Sequence, residues 1–317
     1  MKGFIEKWAG KSTAVFLCVQ LIFIPVFFPV KASAKVFRVE STEVLKPPSA
    51  GALPVLIPGQ ENDAWHHSQA GNRAIIDQSE SKVVIKWKSF DVGKDAKVEF
   101  NQPKNGSALN RIYDANPSQI YGSLEATGNV FLINQNGILF GNGSRANLNS
   151  LVASSLNIQD EDFQNGLWKF KAEDYFGESL KEDPETKDLE YEFEGVGDVF
   201  NQGTLTSGTE GRIFLMGENV LNQGTISAEG GWIALCAGNE VDVTSEIKNK
   251  ALVRGIDVDH TGLVKNEEQA QILADEGRMG MYGRIVRQNG LIRSLSTVRR
   301  GSSIRLEATE KITTGKN

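Results

Sequence analysis

The chain is poor in the side chains that most often carry redox, metal and hydrolytic chemistry. It has two cysteines, Cys18 and Cys236, and three histidines, His66, His67 and His260. Cys18 falls in an N-terminal apolar stretch that reads as a leader, which leaves Cys236 without an intramolecular disulfide partner. Stability in an oxidising compartment must then come from packing and backbone pairing, which a long chain with a continuous core can supply. Cys236, within "IALCAG", is expected to be a small buried filler. Adjacent histidines on a strand point to opposite faces, so His66 and His67 make a weak metal pair. HExxH, CxxC and nucleophile-elbow patterns are absent. "GNGS" at 141–144 lacks the lysine of a phosphate loop, and its glycines read as corners. Positive charge is also short: 34 Lys and Arg against 40 Asp and Glu give a net charge of −6, so no nucleic-acid partner is expected. No catalytic, cofactor-binding or metal residue is assigned, and the chain is not read as an enzyme.

Lys2, Lys7 and Lys11 precede an apolar run from Ala14 to Val30, and Lys31-Ala32-Ser33-Ala34 follows it. Ala32 and Ala34 supply the small-x-small pattern of a signal-peptidase site. The run is at the lower edge for a membrane span, and Pro25 and Pro29 interrupt it. Cleavage after Ala34 is therefore expected, with residues 1–34 as signal peptide and 35–317 as one domain. The first 34 residues hold four Lys and one Glu, so the remainder carries a net charge of −9.

Glycine, in contrast, is abundant at 32 residues, above the usual share of about 7%. It is organised by a repeat. Val199-Phe-Asn-Gln-Gly-Thr-Leu205 returns 21 residues later as Val220-Leu-Asn-Gln-Gly-Thr-Ile226. "GRIFLMG" at 211–217 returns as "GWIALCAG" at 231–238, and Val241 falls where a third unit would begin. A fainter copy comes back at Gln288 to Ile292, followed by "GSSIRLEATEKI" at 301–312. Short β-rich pieces divided by glycine turns at this period suit a solenoid, with one coil per repeat. Strands of successive coils then stack in parallel at about 4.8 Å. Asn201 would lie over Asn222 in an amide ladder, and Ile213, Leu215, Ile233 and Leu235 would fill an apolar column.

The segment "NVFLINQNGILFG", 129–141, places two apolar runs either side of Asn134-Gln135-Asn136-Gly137. Those four residues have turn chemistry, with an amide first and a glycine fourth. The spacing predicts a sharp corner between consecutive strands of a coil. An antiparallel hairpin would need flanking strands that alternate inside and outside, whereas Val130-Phe-Leu-Ile133 is apolar throughout. Continuous apolarity predicts cover on both faces.

Two segments break the rhythm. Residues 171–194 are densely acidic with Pro184 and read as an excursion, a loop or an added hairpin. Insertions of this kind map to one face of a repeat protein. Residues 248–280 read as irregular, with "NEEQAQILADEG" a candidate short helix. Asp160-Glu161-Asp162 is expected to be a solvated corner rather than a calcium site.

Residues 85–158 closely resemble the N-terminal secretion domain of filamentous haemagglutinin-type exoproteins of the two-partner secretion pathway. The family's Asn-Pro-Ser-x-Ile is matched by Asn116-Pro117-Ser118-Gln119-Ile120, and its Asn-Pro-Asn-Gly-Ile by Asn134-Gln135-Asn136-Gly137-Ile138. Gln135 stands where the family has proline, which presets φ at the second turn position. The turn is expected to persist through Asn136 and Gly137. The resemblance implies an all-β, right-handed parallel β-helix of about 21 residues per coil, with an N-terminal cap and insertions outside the helix. It also implies a partner: an outer-membrane barrel transporter with periplasmic recognition modules. Asn116, Pro117, Ser118, Asn134, Gln135, Asn136, Gly137 and Ile138 are the candidate turn and recognition residues. The implied product is a secreted or cell-surface exoprotein, an adhesin with a host-surface or carbohydrate ligand, or a truncated exoprotein. A secreted β-helix carbohydrate-binding protein or polysaccharide-degrading enzyme is the alternative from another class.

Overall fold

In a computed structural model, described over residues 37–38, 45–173, 195–248, 251–296 and 301–315, the chain winds into a parallel β-helix with three ladders. The first ladder stacks Lys82–Ser89, Ser107–Ile112, Asn129–Ile133, Ser150–Ser154, Arg212–Gly217 and Trp232–Ala237 in parallel, and Arg278–Gln288 and Ser303–Thr314 extend it. The second runs through Ser118–Ile120, Ile138–Phe140, Val199–Asn201, Val220–Asn222 and Leu263–Asn266. The third runs from Arg73–Gln78 through Lys97–Asn101, Ser123–Ala126, Arg145–Leu148, Thr204–Ser207, Thr225–Ser227 and Gln271–Leu273 to Leu291–Arg293. Uninterrupted coils keep the predicted length: Ser150 lies on Asn129 and Val220 on Val199, each 21 residues along, and Trp232 lies on Arg212 after 20. At the N-terminal end, Trp65–Ala70 pairs antiparallel with Arg73–Gln78, and Val55–Leu56 with Lys82–Ser89, which caps the first coil.

Alternation along each strand sorts side chains into two cores. Val130 and Leu132 point into the tube with Ile213, Leu215, Ile233 and Leu235, all fully buried. Phe131 and Ile133 point outward and are buried as well, among Val152, Phe214, Met216 and Cys236. Both faces of this strand are thus covered, as its unbroken apolarity requires. The cover is an antiparallel sheet outside the helix, made of Trp168–Lys171, Glu240–Lys248 and Ala251–Val258. Edge-to-face aromatic pairs tie it down, Phe131 to Trp168 at 5.4 Å and Trp168 to Phe214 at 5.9 Å, and Phe214 packs in turn on Trp232 of the next ladder strand at 5.1 Å. Each such pair contributes about 0.5–1.5 kcal/mol beyond the area it buries.

Both departures from the coil rhythm leave the helix on this one face. The first begins after Ser154 and holds the helix Asp160–Asn165 before the Trp168–Lys171 strand. Asp160, Glu161 and Asp162 form the first turn of that helix, and Gly166 closes it with φ 73°. Arg111 anchors it from the first ladder, with Nε 2.7 Å from Asp160 Oδ1 and Nη1 2.5 Å from Asn157 Oδ1. Lys82 Nζ caps the other end, donating to Gln164 O at 2.7 Å. Most of the acidic stretch 171–194 lies outside the described residues.

The second departure corrects the sequence reading. The region 248–280 is regular: its first part completes a hairpin, and Leu263–Asn266 and Gln271–Leu273 are ladder strands rather than a helix. Val241 does not open a third copy. It pairs with Phe170 and Val258 in the outer sheet, and Val264 takes the place above Val220. Covering the apolar outer face of Trp232–Ala237 outweighs the period. Among the described residues no helix is long and apolar enough to cross a membrane.

Candidate functional site

The corner between the first and second ladders gathers the two asparagine-bearing segments. Ser118–Ile120 and Ile138–Phe140 are parallel neighbours, with Ser118 beside Ile138. The turns that precede them are therefore stacked on consecutive coils. Gly137 N donates to Asn134 O at 2.9 Å, which closes the four-residue turn. Asn136 N donates to Asn134 Oδ1 at 3.0 Å, an Asx turn inside it. Gly137 takes φ 106°, and a Cβ there would sit 2.7 Å from Asp198 O. Glycine is needed on both counts. With Gln135 at the second position, the turn keeps its closing bond.

Amide side chains bind the two turns together. Asn134 Nδ2 donates to Asn116 O at 3.1 Å and to Ser118 Oγ at 3.0 Å. Asn136 Nδ2 donates to Asp114 O at 2.7 Å, and Asp114 Oδ1 in turn accepts from Asn116 N and Nδ2, both at 3.0 Å. The next coil closes the other side: Gly197 N donates to Gln135 O at 2.7 Å, and Ile138 N to Asp198 O at 3.1 Å. Of the eight candidate residues, Asn116 alone is exposed; the other seven are buried. Asn136 Oδ1 is buried with no hydrogen-bond partner among the described residues, at a cost of about 1–3 kcal/mol.

The corner continues in both directions as a column of short polar side chains. Below it, Asp91 Oδ1 accepts Gln119 N at 2.8 Å. Burial raises the Asp91 carboxyl to about 6, the Asp114 charge adds to the rise, and the Gln119 bond opposes it. Above it, Asp198 Oδ1 accepts Asn219 N at 3.1 Å and Nδ2 at 2.9 Å, and Asn219 Oδ1 accepts Leu263 N at 2.9 Å. Sequence reasoning missed Asp198. The 21-residue offset from Asp198 to Asn219 could have found it, because both immediately precede a repeat copy. It also missed Phe37, which docks here and belongs to no repeat. Ala32 and Ala34 lie outside the described residues.

The remaining polar candidates are scattered. His66 is exposed and His67 half-buried, its ring edge-on to Trp87 at 5.4 Å, and burial lowers its pKa. His260 lies 3.7 Å from Glu307. Cys236 is buried in the outer core, where desolvation raises its thiol pKa.

A three-ladder parallel β-helix, capped at its start and covered on one face, defines a class of solenoid whose first coils carry buried amide corners. Comparison with known proteins gives the family. The model of the TPS secretion domain matches residues 57–316, and the chain belongs to that family. It is 33% identical over 164 residues to a heme/hemopexin-binding protein of Haemophilus influenzae strain Rd, 51% of this chain and 16% of that protein. A second Haemophilus influenzae protein of the same name is 34% identical over 112 residues, 35% of this chain and 12% of that one. The chain thus spans about a sixth or less of the curated relatives it matches. Among solved structures, the secretion domain of HMW1 from Haemophilus influenzae superposes with a TM-score of 0.63 at 26% identity. That match covers 78% of this chain and 63% of that one.

Proposed function

We propose that this domain is the export address of a secreted exoprotein. An outer-membrane barrel transporter reads it in the periplasm through its recognition modules. Once outside, the domain folds first and templates further coils at the cell surface. Family membership supports the route, and one structural observation supports the site: the Asn116 and Asn134 segments, which carry the two motifs, are stacked on consecutive coils and hydrogen-bonded at one corner. The domain itself carries no catalysis in this reading. An adhesive role for the whole protein rests on analogy with its family. The heme/hemopexin binding in the relatives' names belongs to proteins of which this chain aligns with 16% or less.

Co-expression with an outer-membrane barrel transporter of the family, sought first beside its gene, tests the route. The unaltered chain should appear outside the cell only when the barrel is present. Replacing Asn136 and Gly137 together with valine should lower the exported amount by on the order of tenfold, because β-branched residues resist positive φ. Export that is indifferent to the barrel would overturn the proposal. Full export of the double variant would remove the corner from it.

A further inference from the structure

Phe37 and Arg38 lie across the corner although almost a hundred residues separate them from it in sequence. Phe37 N donates to Asn136 O at 2.7 Å, and Phe37 O accepts from Asp198 N at 2.8 Å. The main chain of Phe37 therefore stitches the Asn134–Gly137 turn to the next coil. The Arg38 guanidinium donates to Val196 O and lies 4.0 Å from the Asp198 carboxylate, whose side chain is 1% exposed. A Cβ at Gly137 would sit 2.9 Å from Phe37 Cβ, so this glycine also makes room for the strap. With cleavage after Ala34, Phe37 is the third residue of the mature chain.

The closed corner hides what a partner would read. Asn134 and Asn136 are fully buried and Gln135 is 4% exposed, so no protein can touch these amides without opening the turn. Opening it means releasing Asn136 O and Asp198 N from Phe37. We propose that Phe37–Arg38 is a gating strap: the transporter's periplasmic modules bind the Asn134–Ile138 segment only in the unseated form, and the strap sets how often that form occurs. This rests on the reading of the corner as the recognition element. Apparent affinity scales with the fraction of chain in the competent form, so weakening the strap should tighten binding. A contact that merely held the fold together would weaken it.

The test uses the chain from Lys35 onward and the purified periplasmic modules of the barrel transporter that exports it. Phe37→Pro removes the N–H that Asn136 O accepts, Arg38→Ala removes the guanidinium, and Arg38→Lys keeps a cation. Two quantities are measured: amide hydrogen exchange of the free chain, and affinity for the modules. In Phe37→Pro, exchange of the amides at 134–138 and 197–198 should rise about tenfold, while 212–237 stays protected. Affinity for the modules should tighten by a similar factor. Arg38→Ala should move both quantities the same way by less, and Arg38→Lys should recover part of the difference. Unchanged exchange at the corner in Phe37→Pro would overturn the strap itself. Exchange that rises across 212–237 as well would make it a general stabiliser and overturn the gate. Local opening with unchanged or weaker binding would also overturn the gate, and the fault would then lie with the recognition reading of the corner.

Discussion

Two asparagine corners of the same helix meet the same demand in different ways. Between the second and third ladders, Asn201, Asn222 and Asn266 stack on successive coils. Asn201 Nδ2 donates to Asn222 Oδ1 at 2.8 Å, Asn222 Nδ2 to Asn266 Oδ1 at 2.8 Å, and Asn266 Nδ2 to Gln288 Oε1 at 3.0 Å. Two of the amide oxygens also serve their own turns: Asn201 Oδ1 accepts Gly203 N, and Asn222 Oδ1 accepts Gly224 N. Each rung is therefore built from nearby sequence and satisfied by its copy. Between the first and second ladders, Asn134 and Asn136 are equally buried, but their partners come from 114–118, from 197–198 and from Phe37. A repeated corner supports itself. An assembled corner can be opened by moving a piece from elsewhere in the chain, which fits the recognition role proposed for it.

Asn222→Leu should have the largest effect. It leaves an Asn201 amide N–H and the Asn266 oxygen buried without these partners and removes one of the two acceptors of Gly224 N, which keeps Asn201 O. At about 1–3 kcal/mol for each orphaned group, the loss should be about 4 kcal/mol. Urea unfolding measures it. A loss below about 1 kcal/mol would mean that the ladder is decoration and that the contrast between the corners is empty.

Gly137→Ala comes next. The residue must hold φ 106° with its Cβ 2.7 Å from a backbone oxygen, and strain of this kind costs about 1–3 kcal/mol. The comparison predicts where the damage falls. Hydrogen exchange should show it confined to 134–138 and its neighbours 116–118 and 197–198, with the Asn201–Asn266 ladder still protected. Loss of protection along the whole helix would mean that the two corners are not independent.

The contrast also accounts for what the sequence disclosed. Period, glycine corners and amide stacking are local or repeat at a fixed offset, so the coils, the inward column of Ile213, Leu215, Ile233 and Leu235, and the Asn201–Asn222 pair were legible. The unbroken run Val130–Ile133 announced a second core. What covers it was not legible, because the hairpin that does so interrupts the repeat and displaces the next copy from Val241 to Val264. For the corner, turn chemistry and the resemblance pointed to residues that the fold brings together at one place. Their closure by Phe37 and Arg38 was hidden, since long-range bonds from outside the repeat leave no periodic trace, whereas Asp198 was within reach of the 21-residue offset to Asn219.

Asp91 sharpens the comparison through pH. It forms the first rung of the assembled corner, whereas the repeated ladder has no titratable member. Burial, with the Asp114 charge adding to it, raises its carboxyl from 3.8 to about 6 in the folded chain. A raised carboxyl pKa favours the fold at low pH, where both states are protonated at this site. That stability is lost as pH climbs from about 4 through 6, because the unfolded chain ionises first. Asp91→Asn keeps an acceptor for Gln119 N and removes the titration. The variant should match the unaltered chain near pH 4 and exceed it by about 2 kcal/mol at pH 7. Unfolding curves of the two chains across this range, compared at each pH, cancel the contributions of the other carboxylates. A constant difference would show that Asp91 is not the titrating group.

The smallest effect isolates burial from periodicity. Gln202 and Gln223 are related by the same 21-residue offset as their neighbours Asn201 and Asn222, and Gln202 Nε2 donates to Gln223 Oε1 at 3.1 Å. Geometry and repeat are alike, but this bond is exposed whereas the asparagine bond is buried. Water replaces a lost partner on the surface, so Gln202→Ala should change stability by less than about 0.5 kcal/mol. Set beside Asn222→Leu, the two rungs form a controlled pair in which offset is held constant and solvent access varies. If both substitutions cost the same, stacking of amides along the helix would matter in its own right. If they separate as expected, the ladder matters because its members cannot find water, and the same reasoning makes the buried Asn134–Gly137 turn costly to open without help.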